Sequence, residues 1–429
     1  MAEGGEEDKA GEKDRSSAGP RPAPVASCAM ATQLRSIDPT VDPLDGMSLP
    51  GWLYHDPEFL GAETRAFLRA APQPVCHDSE IAQPGEWRSL EYLGTSVIVI
   101  RGDDGEVRAF ANVCRHRGSR LVDGEAGCAR VLTCPYHAWS YARDGRLVGV
   151  PQRGQYPGLD PDQLGLVPVA LESWHGFLFV TLEPPSTSLG TGGAPSVASM
   201  MAPYEAEVAP YRFADLRPIG RVTMRTRALN WKTIADNYSD GLHIPIGHPG
   251  LTRLFGRGYR ISADEHVDRM EGDLVERPSD NPSERTYQKY LPEAEHLPVS
   301  HRRKWLYYKL FPNVAFDIYP DQVDFMQFLP VSATETVIRE ISYALPDSRR
   351  EMRACRYLNW RINRRVNEED TELITRVQLG MQSPSYVAGP LGTSEVCLRS
   401  FAQKLRRLIP EARLERAPAP GWSGSAAVR

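Results

Sequence analysis

Two short stretches decide the fold of the first half of the chain: NVCRHRGSRLV at residues 112–122 and TCPYHAWSYARDGRL at 133–147. Each contains a cysteine followed within three residues by a histidine, and each is interrupted by glycine or proline. Turn signals separate the β-rich runs around them, which are SVIVI (96–100), VRAFANV (107–113), VLTCPYHAWSYA (131–142) and HGFLFVTL (175–182). This pattern predicts a small antiparallel β domain whose loops carry the Cys-His pairs.

The two Cys-His pairs form a candidate metal site. Cys114 and His116 are followed, after seventeen residues, by Cys134 and His137. Two thiolates can hold one iron of a two-iron cluster while two neutral imidazoles hold the other, which raises the reduction potential. The alternative is a structural zinc site, because two cysteines and two histidines also satisfy tetrahedral zinc. The spacing favours the iron–sulfur cluster, since each loop supplies one ligand of each kind.

A second constellation lies in NWKTIADNYSDGLHIPIGH at residues 230–248. Its spacing predicts a helix through His243, with Asp236, Asp240 and His243 along one face. Pro245 and Gly247 break that helix, so His248 can return toward His243 from a turn. Two converging histidines beside carboxylates indicate an iron site of two histidines and one carboxylate, with positions open for oxygen.

The carboxylate must come from elsewhere in the chain, and Asp370 is the candidate. It lies inside an apolar stripe on a predicted helix near 356–381, where a charge needs a partner. The stripe consists of Leu358, Ile362, Val366, Ile374 and Val377. Glu369 is the fallback ligand, and a helix cap or a buried salt bridge with an arginine is the alternative role for Asp370.

The chain divides by composition. Residues 1–44 are rich in Gly, Ala, Glu, Pro and Ser and are predicted to be a disordered tail, with Met30 as an alternative start of translation. The first domain is predicted at 45–183, a linker at 184–198, a catalytic domain at 199–415 and a flexible C-terminal tail at 416–429. The second domain mixes helices near 228–243 and 353–381 with strand-like runs such as VDFMQFLPV (323–331) and TVIREISYAL (336–345), which indicates an α+β fold.

Charge, hydropathy and cysteine content limit the classes of partner. With 50 basic and 55 acidic residues and a net charge of -5, the chain has no excess of positive charge that would indicate binding to nucleic acid or to an anionic membrane. No apolar run is long enough to span a bilayer. Seven cysteines spread over 429 residues form no disulfide framework. We expect a soluble protein of the reducing cytoplasm.

His55, His77 and His175 have no partner at ligand spacing and are predicted to be packing or surface residues.

Together the motifs resemble the Rieske non-haem iron oxygenases, the family of ring-hydroxylating dioxygenase large subunits and related monooxygenases. The likeness covers about residues 45–412 and includes LFPN (310–313), EEDTELITRVQLGMQS (368–383) and GPLGTSE (389–395) besides the metal motifs. The resemblance implies that the four cysteine and histidine residues hold a [2Fe–2S] cluster. It implies that His243, His248 and Asp370 hold a mononuclear Fe(II). Asp240 then bridges the two sites for electron transfer, and Asn237 is a second candidate catalytic residue.

The resemblance also implies a helix-grip catalytic domain, in which a bent antiparallel sheet wraps on a long helix around a pocket, and a homotrimer. Because the chain has no G-x-G-x-x-G in a strand-turn-helix context, it needs a separate NAD(P)H-dependent reductase, with or without a ferredoxin. A pure electron carrier or structural metalloprotein is the rival class, but it leaves the second motif unexplained.

The late segment looks most like the choline and glycine betaine subgroup, which predicts hydroxylation or oxidative demethylation of a small molecule such as a methylated amine. An aromatic ring dioxygenase that forms cis-diols is the alternative. Aromatic residues of the second domain could form a cage for a quaternary ammonium group, although core packing is the commoner role of such residues. They are Trp305, Tyr307, Tyr308, Phe311, Phe316 and Tyr319.

Overall fold

The computed structural model describes residues 42–183, 195–291 and 294–424. The first half forms three small antiparallel sheets, ordered β4-β3-β2-β5, β6-β7-β8 and β1-β10-β9. Their strands are β1 (Gln73–His77), β2 (Glu86–Tyr92), β3 (Thr95–Arg101), β4 (Val107–Ala111), β5 (Ala126–Cys128), β6 (Leu132–Thr133), β7 (Ser140–Tyr141), β8 (Leu147–Gly149), β9 (Ala170–Trp174) and β10 (Phe177–Thr181). The predicted antiparallel β domain is confirmed.

The second half is built on one antiparallel sheet of eight strands, in which β11 and β12 both pair with β18 and the order continues β17-β16-β15-β14-β13. The strands are β11 (Arg217–Pro218), β12 (Thr223–Arg227), β13 (Arg260–Ala263), β14 (Val267–Asp273), β15 (Lys304–Leu310), β16 (Val314–Ile318), β17 (Val323–Ser332) and β18 (Glu335–Ala344). Strand β16 is buried at every position. A sheet with residues buried on both faces requires helices or loops to cover it.

Helices supply that cover. They are α1 (Pro57–Glu63), α2 (Val197–Met201), α3 (Glu205–Val208), α4 (Trp231–Ser239), α5 (Ile244–Gly247), α6 (Pro249–Phe255), α7 (Pro282–Tyr290), α8 (Arg350–Met381) and α9 (Val396–Leu408). The 32-residue α8 packs against α4, α5, α6 and α7. Its Cys355 and Ile362 share a hydrophobic cluster with Trp305 of β15. The α+β class and the pairing of a sheet with a long helix are as predicted.

The helix predicted through His243 ends earlier. Helix α4 begins after Asn230, whose side chain accepts a hydrogen bond from the backbone N–H of Lys232 (3.0 Å), and it stops at Ser239. Asp240 is already extended (φ -85°, ψ 130°), and its carboxylate accepts from the backbone N–H of Leu242 at 2.8 Å. An aspartate that satisfies nearby backbone donors favours a turn over a helix. The prediction that Asp236, Asp240 and His243 share one helical face is therefore wrong.

One hydrophobic core includes side chains from both predicted domains, among them Trp52, Val97, Trp231 and Phe328. At its centre the carboxylate of Glu63 pairs with the Lys232 ammonium, Oε1 to Nζ 2.9 Å, and both side chains are fully buried. This core and its ion pair therefore hold the segment before β1, which includes Trp52 and Glu63, against α4.

The predicted segment boundaries differ in places from the structure. The N-terminal tail lies outside the described residues except for 42–44, and so does the linker except for its last four residues, in which α2 begins at Val197. The C-terminal tail is not free where it is described, because Trp422 packs edge-on against Trp52 with ring centroids 6.1 Å apart. No helix in the described ranges is long and apolar enough to cross a membrane.

Candidate active site

Two loops of the first domain have the same backbone fold. The N–H of Cys114 bonds the carbonyl of Ser119 and the N–H of Cys134 bonds the carbonyl of Trp139, both at 2.8 Å. In each loop the residue four after the cysteine has a positive φ, 74° at Gly118 and 58° at Ala138. Glycine suits this conformation, whereas alanine adopts it only under constraint. The equivalent folds present the two Cys-His pairs in equivalent positions.

The side chains of these loops fit an iron–sulfur cluster. Both cysteines are buried, and the rings of His116 and His137 lie 4.6 Å apart between centroids. The Nδ1 atoms of both histidines are buried, and neither has a hydrogen-bond partner in the described part of the chain. Buried ring nitrogens normally find a partner, so two orphaned nitrogens beside two thiols indicate ligands. Burial opposes ionisation of Cys134, but backbone N–H groups of the loop lower the pKa of its thiol.

The second constellation comes together between α4, α5 and α8. His243, His248 and Asp370 each place a ligand atom within 4.8 Å of the other two. The two Nε2 atoms are 3.1 Å apart, and Asp370 Oδ1 is 2.9 Å from His248 Nε2 and 3.6 Å from His243 Nε2. The structure therefore brings the three predicted iron ligands to one point. His248 is buried, and the other two are half-buried.

The electrostatics of this triad fit a cation. Burial opposes charge on all three groups, yet the hydrogen bonds that His243 donates to the carboxylates of Asp240 and Asp370 raise the pKa of His243 to about 9. Hydrogen bonds from the two histidines likewise lower the pKa of Asp370 to about 2. Two Nε2 atoms that face each other at 3.1 Å cannot both carry protons comfortably. A metal ion that replaces those protons resolves the conflict, because metal ligation requires neutral imidazoles and a carboxylate.

Three polar side chains fix the orientation of the triad. Asp240 Oδ2 lies 2.9 Å from His243 Nδ1, and Glu369 Oε2 lies 3.0 Å from His248 Nδ1. Each carboxylate selects the tautomer that leaves Nε2 free for a metal. Asn237 donates to Asp370 Oδ1 at 2.7 Å, so it positions a ligand carboxylate. Glu369, the fallback ligand, lies instead behind His248. Within the predicted stripe of α8, Ile362 and Ile374 are buried, but Val377 is exposed.

A cavity of about 100 Å³ adjoins the triad, between α8 and the eight-stranded sheet. Of the six aromatic residues predicted as a cage, only Tyr307 lines it; the others pack in the hydrophobic core. Sequence reasoning missed several lining residues, namely Tyr238, Tyr259, Asp317, Asp324, Met326 and Glu340. Acidic residues inside the mainly apolar runs VAFDI and VDFMQF were the available signal, because charged residues are rarely buried in a strand without a partner.

His77 and His175 take no part in either site. His77 Nε2 is 3.0 Å from the carbonyl of Phe213, and His175 Nε2 is 2.7 Å from Glu205 Oε1. Both are the packing or surface residues that their isolation in the sequence predicts.

Two protein families match consecutive parts of the chain. Residues 71–169 match the Rieske [2Fe-2S] domain, and residues 213–411 match the ring hydroxylating alpha subunit (catalytic domain). The chain belongs to the family of Rieske ring-hydroxylating alpha subunits. In this family the Rieske domain binds a [2Fe–2S] cluster and the catalytic domain binds a mononuclear iron. Zinc in the first site, and a simple electron carrier as the whole protein, are the interpretations that the match disfavours.

Two relatives of this Rieske alpha subunit are named for their quaternary ammonium substrates, carnitine and choline. It is 35% identical over 211 residues to the carnitine monooxygenase oxygenase subunit of Escherichia coli K12, 49% of this chain and 54% of that one. The chain thus spans about half the length of that relative. It is 25% identical to the chloroplastic choline monooxygenase of Atriplex hortensis, over 83% of this chain and 76% of that one.

A solved structure of a quaternary ammonium Rieske monooxygenase shares the fold of this Rieske alpha subunit. It aligns with a TM-score of 0.70 and 23% identity, covering 84% of this chain and 95% of that one. At this identity the likeness shows the fold alone, so the site residues are assigned from their own distances and burial.

Proposed function

We propose that this chain is the terminal oxygenase component of a multicomponent system. It uses O2 and electrons from a separate NAD(P)H-dependent reductase to hydroxylate or oxidatively demethylate a small methylated amine. The observation that supports this most is the convergence of His243, His248 and Asp370 on one point beside a cavity. Three protein ligands leave coordination positions open, and a cavity there gives substrate access to them.

The ligand sets are part of the proposal. Cys114, His116, Cys134 and His137 hold the cluster, whereas the triad holds the mononuclear iron. When bound, these groups supply one-electron transfer and activation of O2, respectively. The chain itself contributes orientation. Asp240 and Glu369 hold the Nδ1 protons of the two histidines, and buried side chains shape the cavity.

We further propose that the protein is a cytoplasmic homotrimer in which Asp240 also contacts the partner subunit's His137. Asp240→Asn keeps the size of the side chain but removes its charge and weakens it as an acceptor. We expect the variant to retain iron in both sites and a cluster that dithionite still reduces. Reoxidation of that cluster in a single turnover with substrate and O2 should be slow. Wild-type rates of reoxidation and product formation would remove Asp240 from this role.

The experiment that tests the function combines metal analysis with isotope labelling. An oxygenase of this kind contains two iron atoms in the cluster and one more in the triad, whereas an electron carrier contains only the first two. The purified protein, a surrogate reductase, NADH and labelled O2 should place one labelled oxygen atom per turnover in the hydroxylated product or, after demethylation, in the released formaldehyde, which is trapped before it exchanges oxygen with water. Two labelled atoms in a cis-diol would establish the ring dioxygenase instead, and no labelled product from methylated amines or aromatics would refute both.

A further inference from the structure

The cavity beside the triad is unusually acidic. Among the residues that the structure describes, five carboxylic acids line it and no lysine or arginine does. Three of the acids have a charged or ligand-like partner. Asp240 and Asp370 contact the histidines, and Glu340 pairs with the guanidinium of Arg225. Asp317 and Asp324 remain.

These two acids have only neutral partners in the described part of the chain. Asp317 accepts hydrogen bonds from the hydroxyl groups of Tyr238 and Tyr319. Asp324 accepts from the amide of Gln322 at 2.8 Å and from the hydroxyl of Ser342. They are only 9% and 6% exposed. They also face each other directly across β16 and β17. Like charges in this register destabilise a sheet, and an unpaired buried charge costs more than a neutral group.

The cost is a reason to expect a ligand. Burial, followed by the negative charge of Glu340, raises the pKa of Asp317 to about 7 and raises the pKa of Asp324 well above its usual range. A cation in the cavity would stabilise both ionised forms. Aromatic rings lie beside the acids, because Tyr307 pairs with Asp317 across β15 and β16, and Tyr259 lines the same cavity with its ring centroid 6.2 Å from that of Tyr307. Aromatic faces attract organic cations.

We propose that the cavity binds a small organic cation that carries no carboxylate group of its own, with Asp317 and Asp324 as counter-ions. This rests on the proposed function for the position of the reacting carbon. It narrows the substrate class within the methylated amines. A zwitterion such as carnitine or glycine betaine would bring a carboxylate into a cavity whose described lining contains five acids, no lysine or arginine, and no histidine other than the two of the triad. Like-charge contact is an effective means of rejecting a ligand.

Three matched ligands test the proposal on the iron-loaded holoenzyme, by anaerobic titration calorimetry. Choline is the cation, glycine betaine adds a carboxylate to the same trimethylammonium group, and dimethylbutanol replaces the charged nitrogen of choline with carbon. We expect choline to bind at least about tenfold more tightly than either of the others, a difference of about 1.4 kcal/mol. Equal or tighter binding of glycine betaine or dimethylbutanol, or no binding of choline, would overturn the proposal.

Variants assign the effect to the acids. Asp324→Asn should weaken choline binding at least about tenfold and leave dimethylbutanol binding unchanged. Asp321→Asn is the matched control, because Asp321 is a buried acid near the same strands that accepts from the hydroxyl of Tyr287 at 2.8 Å but does not line the cavity. Unchanged choline binding by folded Asp324→Asn, or an equal loss in Asp321→Asn, would remove Asp324 from the role.

The test separates this inference from the proposed function. Tight, selective binding of choline without labelled product would leave the cation site in place and refute the oxygenase activity on this ligand class. Labelled product from glycine betaine or from a neutral aromatic, with weak binding of choline, would support the oxygenase and refute the cation site.

Discussion

Replacing Glu369 with glutamine should weaken iron binding at the triad. Glu369 Oε2 is 3.0 Å from Nδ1 of His248, a residue only 2% exposed. Loss of a carboxylate behind a metal-binding histidine costs roughly 10–100-fold in metal affinity, or about 1.4–2.8 kcal/mol. Glutamine still offers an amide oxygen to the Nδ1 proton. We therefore expect the loss of iron affinity to be near tenfold in Glu369→Gln and near a hundredfold in Glu369→Ala.

The structure separates this effect from the general loss of a negative charge. Glu369 also pairs with Arg365, but the Arg365 side chain is 71% exposed and such a pair contributes only about 0–1 kcal/mol to stability. Glu368 is the matched control, since it is the preceding residue on α8, is 53% exposed and pairs with Arg364. Glu368→Gln removes the same charge without touching His248.

The assay is an anaerobic titration of the iron-depleted triad with Fe(II) in competition with a chromogenic chelator. The visible spectrum of the cluster serves as an internal check that the fold is intact. An iron dissociation constant for Glu369→Gln within twofold of the wild type would refute the reasoning. An equal loss in Glu368→Gln would show that long-range charge, and not the hydrogen bond to His248, controls the affinity.

Two further predictions follow from buried groups and cluster ligands. Lys232→Met leaves Glu63 buried without its partner and should lower the free energy of unfolding by about 3–5 kcal/mol, measured by urea titration. The double variant Glu63→Leu/Lys232→Met should recover most of this loss. Losses that simply add in the double variant would contradict this. His137→Ala should abolish the visible absorption of the cluster and still load iron at the triad, because the proposed ligand sets are disjoint; a normal cluster spectrum would exclude His137 as a ligand.

The spacing of residues close together in the sequence was enough to predict the metal ligands of each motif and several strands. The Cys-His pairs at 114–116 and 134–137 lie on short loops, where the backbone between two ligands is too short to place them far apart. His248 likewise returns to His243 within five residues, but through the short helix α5 (Ile244–Gly247), so the predicted helix break at Pro245 and Gly247 is wrong. β-rich runs predicted several strands in both halves of the chain, because a strand with one or two buried faces requires apolar residues at regular positions. These features depend only on neighbours in the chain.

The tertiary structure decided what depends on residues distant in sequence. Asp370 and Glu369 are adjacent, and only the packing of α8 against α5 and α6 turns the first toward Nε2 of both histidines and the second toward Nδ1 of His248. The acidic cavity likewise forms only because α4 and α8 pack together over the sheet, so that Asp240 and Asp370 line the same space as Asp317 and Asp324, which the β16–β17 hairpin sets opposite each other. The hairpin turn fixes the register of β16 and β17, but no local pattern in the sequence places α4 and α8 over that face of the sheet.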